Sequence, residues 1–167
     1  MNRIQLKNIK HAAFASEETH CYEASLYFDG KRVATVRNEG HGGCDWQDII
    51  DNEGWANLLD YVKTLPEIVT DFADHENPEK KFTYKQDVES ICGNLVNEWL
   101  TTKDLKRALS KKVLFQKVGN GAVFETKTAR NKATLNHWIE QVAARDDTAE
   151  VLNTLPIDKA LEIYQSI

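Results

Sequence analysis

The residues best suited to chemistry are histidines and cysteines at two points in the N-terminal third of the chain. His20 and Cys21 are adjacent, and His41 precedes Cys44 by three residues. Together these four side chains could bind zinc, but neighbouring strand residues point to opposite faces, and the spacing is not that of a zinc finger. The sequence therefore predicts no metal site and no cofactor, with zinc as the less favoured alternative.

Cys44 and His41 form the one plausible pair for thiol catalysis, because a reactive cysteine needs a neighbouring base. The sequence offers no third residue that would orient the histidine. A cysteine within a tight corner explains the pair more simply. We therefore predict no catalytic residue and expect the chain not to be an enzyme.

A glycine-rich corner surrounds this pair, with three glycines in four residues. Glycine accepts positive φ, and Asp45 then stands where a helix N-cap is expected. One interpretation is a nest of backbone N–H groups that binds an anion, with His41 as a donor or acid–base group. The favoured one is a tight turn from a strand into a helix, because no lysine follows the glycines and Asp45 and Asp48 would repel an anion. The candidate contact residues are Gly40, His41, Gly42, Gly43, Asp45 and Trp46.

Charge is distributed unevenly along the chain. Residues 45–79 carry ten acids against the single base Lys63, whereas residues 103–132 carry nine bases against Asp104 and Glu125. A basic stripe could track a phosphate backbone, but no nucleic-acid reader motif is present and the net charge is −5. Nucleic acid is therefore the less favoured partner, after a protein. The candidate basic patch consists of Lys106, Arg107, Lys111, Lys112 and Lys117.

Two hairpins are predicted to position these residues. Residues 21–28 alternate between apolar and polar, and Asp29-Gly30 is typical of a type I′ turn, which would place Phe28 opposite Lys31 and Leu26 opposite Val33. Residues 113–118 and 122–126 flank Gly119-Asn120-Gly121. Either Gly119-Asn120 or Asn120-Gly121 could be the centre of this second turn, and we prefer the first, because that register pairs Phe115 with Phe124.

Helical periodicity follows each hairpin. The pattern predicts helical structure over residues 45–65, with Asn52-Glu53-Gly54 as a candidate interruption. It predicts further helices over 88–100, 131–145 and after Pro156, with a break at Thr101-Thr102 before a short helix carrying Leu105. Gly93, inside the second helix, indicates close packing against a neighbour. Residues 71–85, which include Asn77-Pro78, are polar and predict a loop.

These elements predict an α+β fold. Two hairpins and an N-terminal strand near Ile4 form one antiparallel sheet, covered by four to five helices. At 167 residues the default is a single domain over 1–167, with sub-lobes 1–85 and 86–167 as the alternative. In that alternative the second hairpin belongs to a separate C-terminal lobe.

The composition indicates the cellular compartment in which the protein works. The three cysteines are odd in number and widely spaced, so they imply no disulfide framework. No apolar run approaches the ~18 residues of a membrane span, and no apolar signal core follows Met1. We therefore expect a cytoplasmic protein with no membrane partner.

The residues from 18 to 43 carry a resemblance. The runs ETHCYEA at 18–24, DGK at 29–31 and NEGHGG at 38–43 make the chain similar to small proteins encoded in tailed-phage and prophage genomes. The resemblance carries over no assigned activity, cofactor or catalytic residue to this chain. It implies a context, the bacterial host cytoplasm, in which small proteins of mobile elements often bind host machinery, including restriction or CRISPR defence components.

Two functions follow from these observations. The leading hypothesis is a phage or mobile-element accessory protein that binds a host or phage protein, with inhibition of a host defence system as its expected effect. The alternative is a small-molecule or nucleotide-binding protein, including an enzyme, that uses residues 40–43 with His41.

Overall fold

The computed structural model describes residues 3–165 except 74, 76 and 78. Over these residues the chain has 38% helix and 32% strand, so the predicted α+β class is confirmed. The chain divides into two compact units, Met1–Asn97 and Glu98–Ile167.

The N-terminal unit is built on a four-stranded antiparallel sheet. Its strands, in spatial as well as chain order, are β1 (Ile4–His11), β2 (Tyr22–Phe28), β3 (Lys31–Asn38) and β4 (Trp46–Ile49). The predicted N-terminal strand and first hairpin are therefore present. The strand β4 was not predicted, because its residues were assigned to a helix.

The turn between β2 and β3 has the predicted chemistry. Asp29 and Gly30 both have positive φ, at 47° and 82°, as a two-residue type I′ turn requires. Phe28 faces Lys31, but a bulge between Leu26 and Tyr27 then shifts the register. Leu26 therefore pairs with Ala34 instead of the predicted Val33, because a bulge adds one residue to one strand.

The first helix begins later than predicted. The helix α1 spans Asn52–Val62, and its N-cap is Asp51, whose side chain accepts a hydrogen bond from the Gly54 N–H. Asp45 is therefore not a helix cap, because the chain between Asp45 and Asp51 first adds β4 to the sheet. The sheet and α1 bury Leu26, Val36 and Leu58 completely, and such burial is the main source of folding free energy.

A second hairpin of this unit overlaps both ends of the predicted loop. Its strands β5 (Ile68–Ala73) and β6 (Lys81–Tyr84) pair with each other as a two-stranded sheet. The loop prediction for residues 71–85 is correct for the described residues between the two strands and was wrong for 71–73 and 81–84, because most residues of both strands are exposed and the apolar alternation that marks a strand is absent. Of the predicted turn pair Asn77-Pro78, Pro78 lies outside the described residues.

The helix α2 spans Val88–Leu109 without interruption, so the predicted break at Thr101-Thr102 was wrong. The boundary between the two compact units falls within it. The predicted close neighbour of Gly93 is also absent from the described residues, since a Cβ placed there would meet no atom within 4 Å.

The C-terminal unit has its own sheet, in the order β8 (Asn120–Glu125), β7 (Leu114–Lys117) and β9 (Thr148–Val151). The two predicted hairpins therefore lie in different sheets, and the expectation of one shared sheet was wrong. Phe115 pairs with Phe124 as predicted, but the turn residues are Val118 and Gly119 instead of Gly119 and Asn120. A bulge after Gln116 accommodates the shift.

The remaining helices match their predicted positions. The helix α3 covers Lys132–Ala143 and α4 covers Ile157–Gln165. Leu105, Leu114 and Leu152 form one buried cluster of this unit, and Val113, Phe115 and Leu135 belong to another.

None of the helices in the described part of the chain has the length and apolar character needed to cross a membrane.

Candidate contact surface at the glycine-rich loop

The glycine-rich loop, residues 39–45, connects β3 to β4. Its path depends on three glycines with positive φ: 90° at Gly40, 74° at Gly42 and 140° at Gly43. The corner is therefore a turn between two antiparallel strands, and not the predicted passage from a strand into a helix.

Asn38, the last residue of β3, stabilises the loop through hydrogen bonds of its side-chain amide. Its side chain is almost fully buried, and its Oδ1 accepts hydrogen bonds from the Gly40 N–H at 2.8 Å and the Thr19 hydroxyl at 2.7 Å. Its Nδ2 donates to the Gly43 carbonyl and to Asp45 Oδ1, each at 3.0 Å. One buried amide thus fixes both ends of the loop, and its polar atoms are satisfied.

Gly40 also anchors the connection between β1 and β2. Its carbonyl accepts hydrogen bonds from the N–H groups of Glu17, Glu18 and Thr19, at 2.9, 3.0 and 3.3 Å. A Cβ at Gly40 would lie 2.0 Å from the Ala15 carbonyl oxygen, which is closer than any real contact. Both the positive φ and the close approach therefore require glycine here.

Asp45 is held by a buried tyrosine. The Tyr22 hydroxyl donates a hydrogen bond to Asp45 Oδ2, and Tyr22 is only 6% exposed. Burial raises the pKa of Tyr22 above its ordinary range, and the hydrogen bond to Asp45 raises it further. Tyr22 therefore remains a neutral donor, and the Asp45 carboxylate stays at the loop.

His41 and Cys44 each interact with a different carboxylate. His41 Nδ1 lies 3.3 Å from Glu17 Oε2, and 61% of the His41 side chain is exposed. The charge of Glu89, followed by its hydrogen bond to the thiol, raises the pKa of Cys44. A raised pKa leaves little thiolate at neutral pH, so this cysteine is not an activated nucleophile.

Both side chains line an open depression of about 390 Å³ that also includes Trp46, which is 62% exposed. Its wall further contains Glu39 and Asp45. The depression is therefore acidic and solvent-accessible.

The four residues considered for zinc do not form a metal site. Within the described ranges, no group of three or more His, Cys, Asp and Glu side chains could hold a metal ion. His20 Nε2 instead lies 2.7 Å from Asn97 Oδ1, and its ring packs edge-on against His11 at 5.3 Å.

The interpretation of the loop as an anion nest is also not supported by its hydrogen bonds. The Gly40 N–H donates to Asn38, and the Gly42 N–H donates to the Thr19 hydroxyl at 3.4 Å. Glu17 and Glu39 add negative charge beside these donors. An anion would therefore find these two donors already engaged and would be repelled by the neighbouring carboxylates.

The sequence did not reveal the open edge of the sheet next to this loop. The strand β4 ends the sheet, and among the described residues no strand pairs with its second edge. Trp46, Ile49 and Ile50 are 62%, 45% and 56% exposed. The available signal was the presence of three large apolar residues within the acidic segment 45–51. Their spacing, i, i+3 and i+4, also fits one face of a helix, and the segment was therefore assigned to a helix.

A second exposed aromatic residue, Phe14, adjoins the glycine-rich loop. It lies in the 3-10 turn Ala13–Ala15, next to the Ala15 carbonyl that abuts Gly40, and it is 94% exposed.

The predicted basic patch is partly neutralised. Lys112 Nζ lies 2.5 Å from Glu125 Oε1, and Lys117 Nζ lies 3.4 Å from Asp147 Oδ2. Lys106 and Arg107 occupy the last turn of α2, where cations complement the helix dipole, and Lys111 follows in the turn before β7. The five bases thus divide between ion pairs, a helix end and a turn.

The fold and the loop define an α+β protein with an acidic loop beside an open sheet edge. Comparisons with family models, curated proteins and solved structures found no match for this chain. The similarity to phage proteins therefore remains a prediction from the sequence.

Proposed function

We propose that this protein is a non-enzymatic accessory protein of a phage or mobile element that acts by binding another protein. The observation that carries the proposal is the edge strand β4, which exposes Trp46 and Ile49 at an unpaired sheet edge. Natural proteins protect such edges with short strands, charged side chains or proline; β4 is short and carries Asp48, but it contains no lysine or proline and leaves its two large apolar side chains exposed.

The partner is inferred to be an extended, basic segment. An extended chain that adds to β4 would gain main-chain hydrogen bonds, and its alternate side chains would contact Trp46 on one face and Ile49 on the other. Glu39 and Asp48 are exposed near this edge, and Asp45 and Asp51 lie at the two ends of β4. Their charge would draw a basic segment to the edge and disfavour an acidic one.

The target class comes from the phage resemblance. Small proteins of mobile elements often bind host machinery, so a component of a bacterial defence system is the expected target. Many such components bind nucleic acid and present the basic surfaces that this acidic edge would complement.

The experiment compares three purified proteins as baits in a bacterial lysate: the wild type, the double variant Trp46→Ala with Asp48→Lys, and a control. The control is Phe72→Ala with Glu67→Lys, which removes an exposed aromatic residue and reverses one charge on another part of the unit. We expect one protein to be retained by the wild type and the control but not by the Trp46 variant. Its purified form should bind more weakly as salt increases.

Two results would contradict the proposal. The first is a retained protein that binds all three baits equally, or one that does not bind once purified. The second is sedimentation that shows a homodimer of the wild type, dissociated in the Trp46 variant, which would make a second copy the occupant of the edge.

A further inference from the structure

The C-terminal unit contains a depression of about 670 Å³ whose charged lining residues are all cationic. Lys111, Arg130 and Lys132 line it, and no carboxylate occurs among the described residues that do so. The volume lies within the range of about 300–1,000 Å³ that is typical of small-molecule sites.

A backbone hydrogen bond brings the cations together. The Ala129 N–H donates to the Lys111 carbonyl at 2.7 Å, so the segment before α3 runs beside the turn after α2. Arg130 follows Ala129 directly, and Lys132 is the first residue of α3. Residues that are about twenty positions apart in the chain therefore surround one depression.

The electrostatics of the depression favour an anion. Three like charges repel one another, and no carboxylate in the lining offsets them, unlike Lys112 and Lys117, which have acidic partners. The N-terminus of α3 adds partial positive charge to the same place, with Asn131 as its cap. Leu135 and Ile139 supply an apolar wall.

We propose that this depression binds a small molecule or chain end that carries a phosphate group. The phosphate oxygens would accept hydrogen bonds from Arg130 and the two lysines, since guanidinium and ammonium groups are the usual donors to phosphate. An attached apolar or aromatic group would pack against Leu135 and Ile139. This proposal goes beyond the protein-binding function, because the depression lies in the C-terminal unit and would bind a ligand of the opposite charge.

Two sources offer this chemistry, a free nucleotide and the 5′-phosphate of a nucleic-acid strand. Calorimetry on the full chain, with ATP, pyrophosphate, and 5′-phosphorylated and 5′-hydroxyl forms of one oligonucleotide, distinguishes them. We expect ATP or the 5′-phosphorylated strand to bind and to raise the melting temperature, because a ligand specific for the folded state stabilises it.

The variants test the location of the site. Lys111→Gln with Arg130→Gln should weaken binding at least about tenfold, because charge-assisted hydrogen bonds are lost. Lys106→Gln with Arg107→Gln removes the same charges outside the depression and should bind like the wild type. Arg130→Lys keeps the charge without the planar fork and should have intermediate affinity.

Three results would overturn the proposal. One is the absence of binding by any of the probes. Another is equal binding of the phosphorylated and 5′-hydroxyl oligonucleotides without binding of ATP, which would indicate general contact with a strand. The third is an equal loss of affinity in both double variants, which would indicate net charge instead of a site.

Discussion

At the scale of single residues, the glycine-rich loop is defined by where its hydrogen bonds go. Asn38 uses its whole amide on four partners, and Gly40 uses its carbonyl on three N–H groups. The sequence predicted that this corner would turn tightly, because glycine clusters permit positive φ. It could not predict Asn38 or Tyr22 as supports, because both contacts depend on the pairing of β2 with β3.

Cys44 should react slowly with alkylating agents at pH 7.5. Glu89 raises the pKa of Cys44, so the reactive thiolate is scarcer than in a free cysteine. Glu89→Gln removes that negative charge and should lower the pKa and accelerate modification. Site-resolved mass spectrometry measures both rates, with Glu98→Gln on the same helix as the control. Equal rates in the two variants would show that Glu89 does not act on this thiol.

Gly40→Ala should destabilise the protein by about 3 kcal/mol, since strain at positive φ costs about 1–3 kcal/mol and the Ala15 carbonyl must also move. Gly43→Ala is the matched variant, because its φ of 140° is strained but its Cβ would meet no atom within 4 Å. Urea denaturation should therefore show a smaller loss for Gly43→Ala. Similar losses would mean that the contact with Ala15 adds nothing.

At the scale of elements, local chemistry predicted some parts of the fold and tertiary pairing decided the others. The Asp29-Gly30 turn and the 3.6-residue periodicity of α3 are local signals, and both elements were predicted. The strands β4, β5 and β6 are short and mostly exposed, so they lack the alternation that marks a half-buried strand, and β9 is four residues long with only Val151 buried. Only pairing with a neighbour makes them strands.

Gly93→Ala should stabilise the protein by about 0.5–1 kcal/mol. Glycine in a helix interior costs about that much relative to alanine, and a Cβ at Gly93 would meet no atom within 4 Å. The helical Gly54 is the control, because a Cβ there would lie 2.8 Å from Val33 Cγ1 and 2.7 Å from Asp51 Oδ2. Chemical denaturation should give opposite signs, and a loss of stability in Gly93→Ala would reveal packing at that position.

At the scale of the whole molecule, the charge blocks coincide with the two compact units. The N-terminal unit has ten basic and seventeen acidic residues, a net charge of −7, and the C-terminal unit has eleven and nine, a net charge of +2. The sequence indicated acidic and basic blocks without revealing this boundary, which falls inside α2. The acidic edge thus lies in the unit with a negative net charge, and the cationic depression lies in the unit with a positive net charge.

Stability should fall in alkaline solution more steeply for the wild type than for Cys92→Ala. Burial raises the pKa of Cys92 from 9.0 to about 12, so the folded protein keeps a proton that the unfolded chain releases above pH 9. Its contribution is complete below pH 9 and is lost as pH rises towards 12, at about 1.4 kcal/mol per pH unit. Denaturation at pH 8 to 11 measures the difference, and parallel profiles would contradict it.

The open edge of β4 also bears on how the molecule behaves among its own copies. An unpaired strand edge can be a template for aggregation, and acidic side chains beside it make two such edges repel each other. That repulsion acts between exposed charges, so salt screens it and self-association through the edge should increase with ionic strength. The same charges that would attract a basic ligand chain would thus also keep two copies of the protein apart.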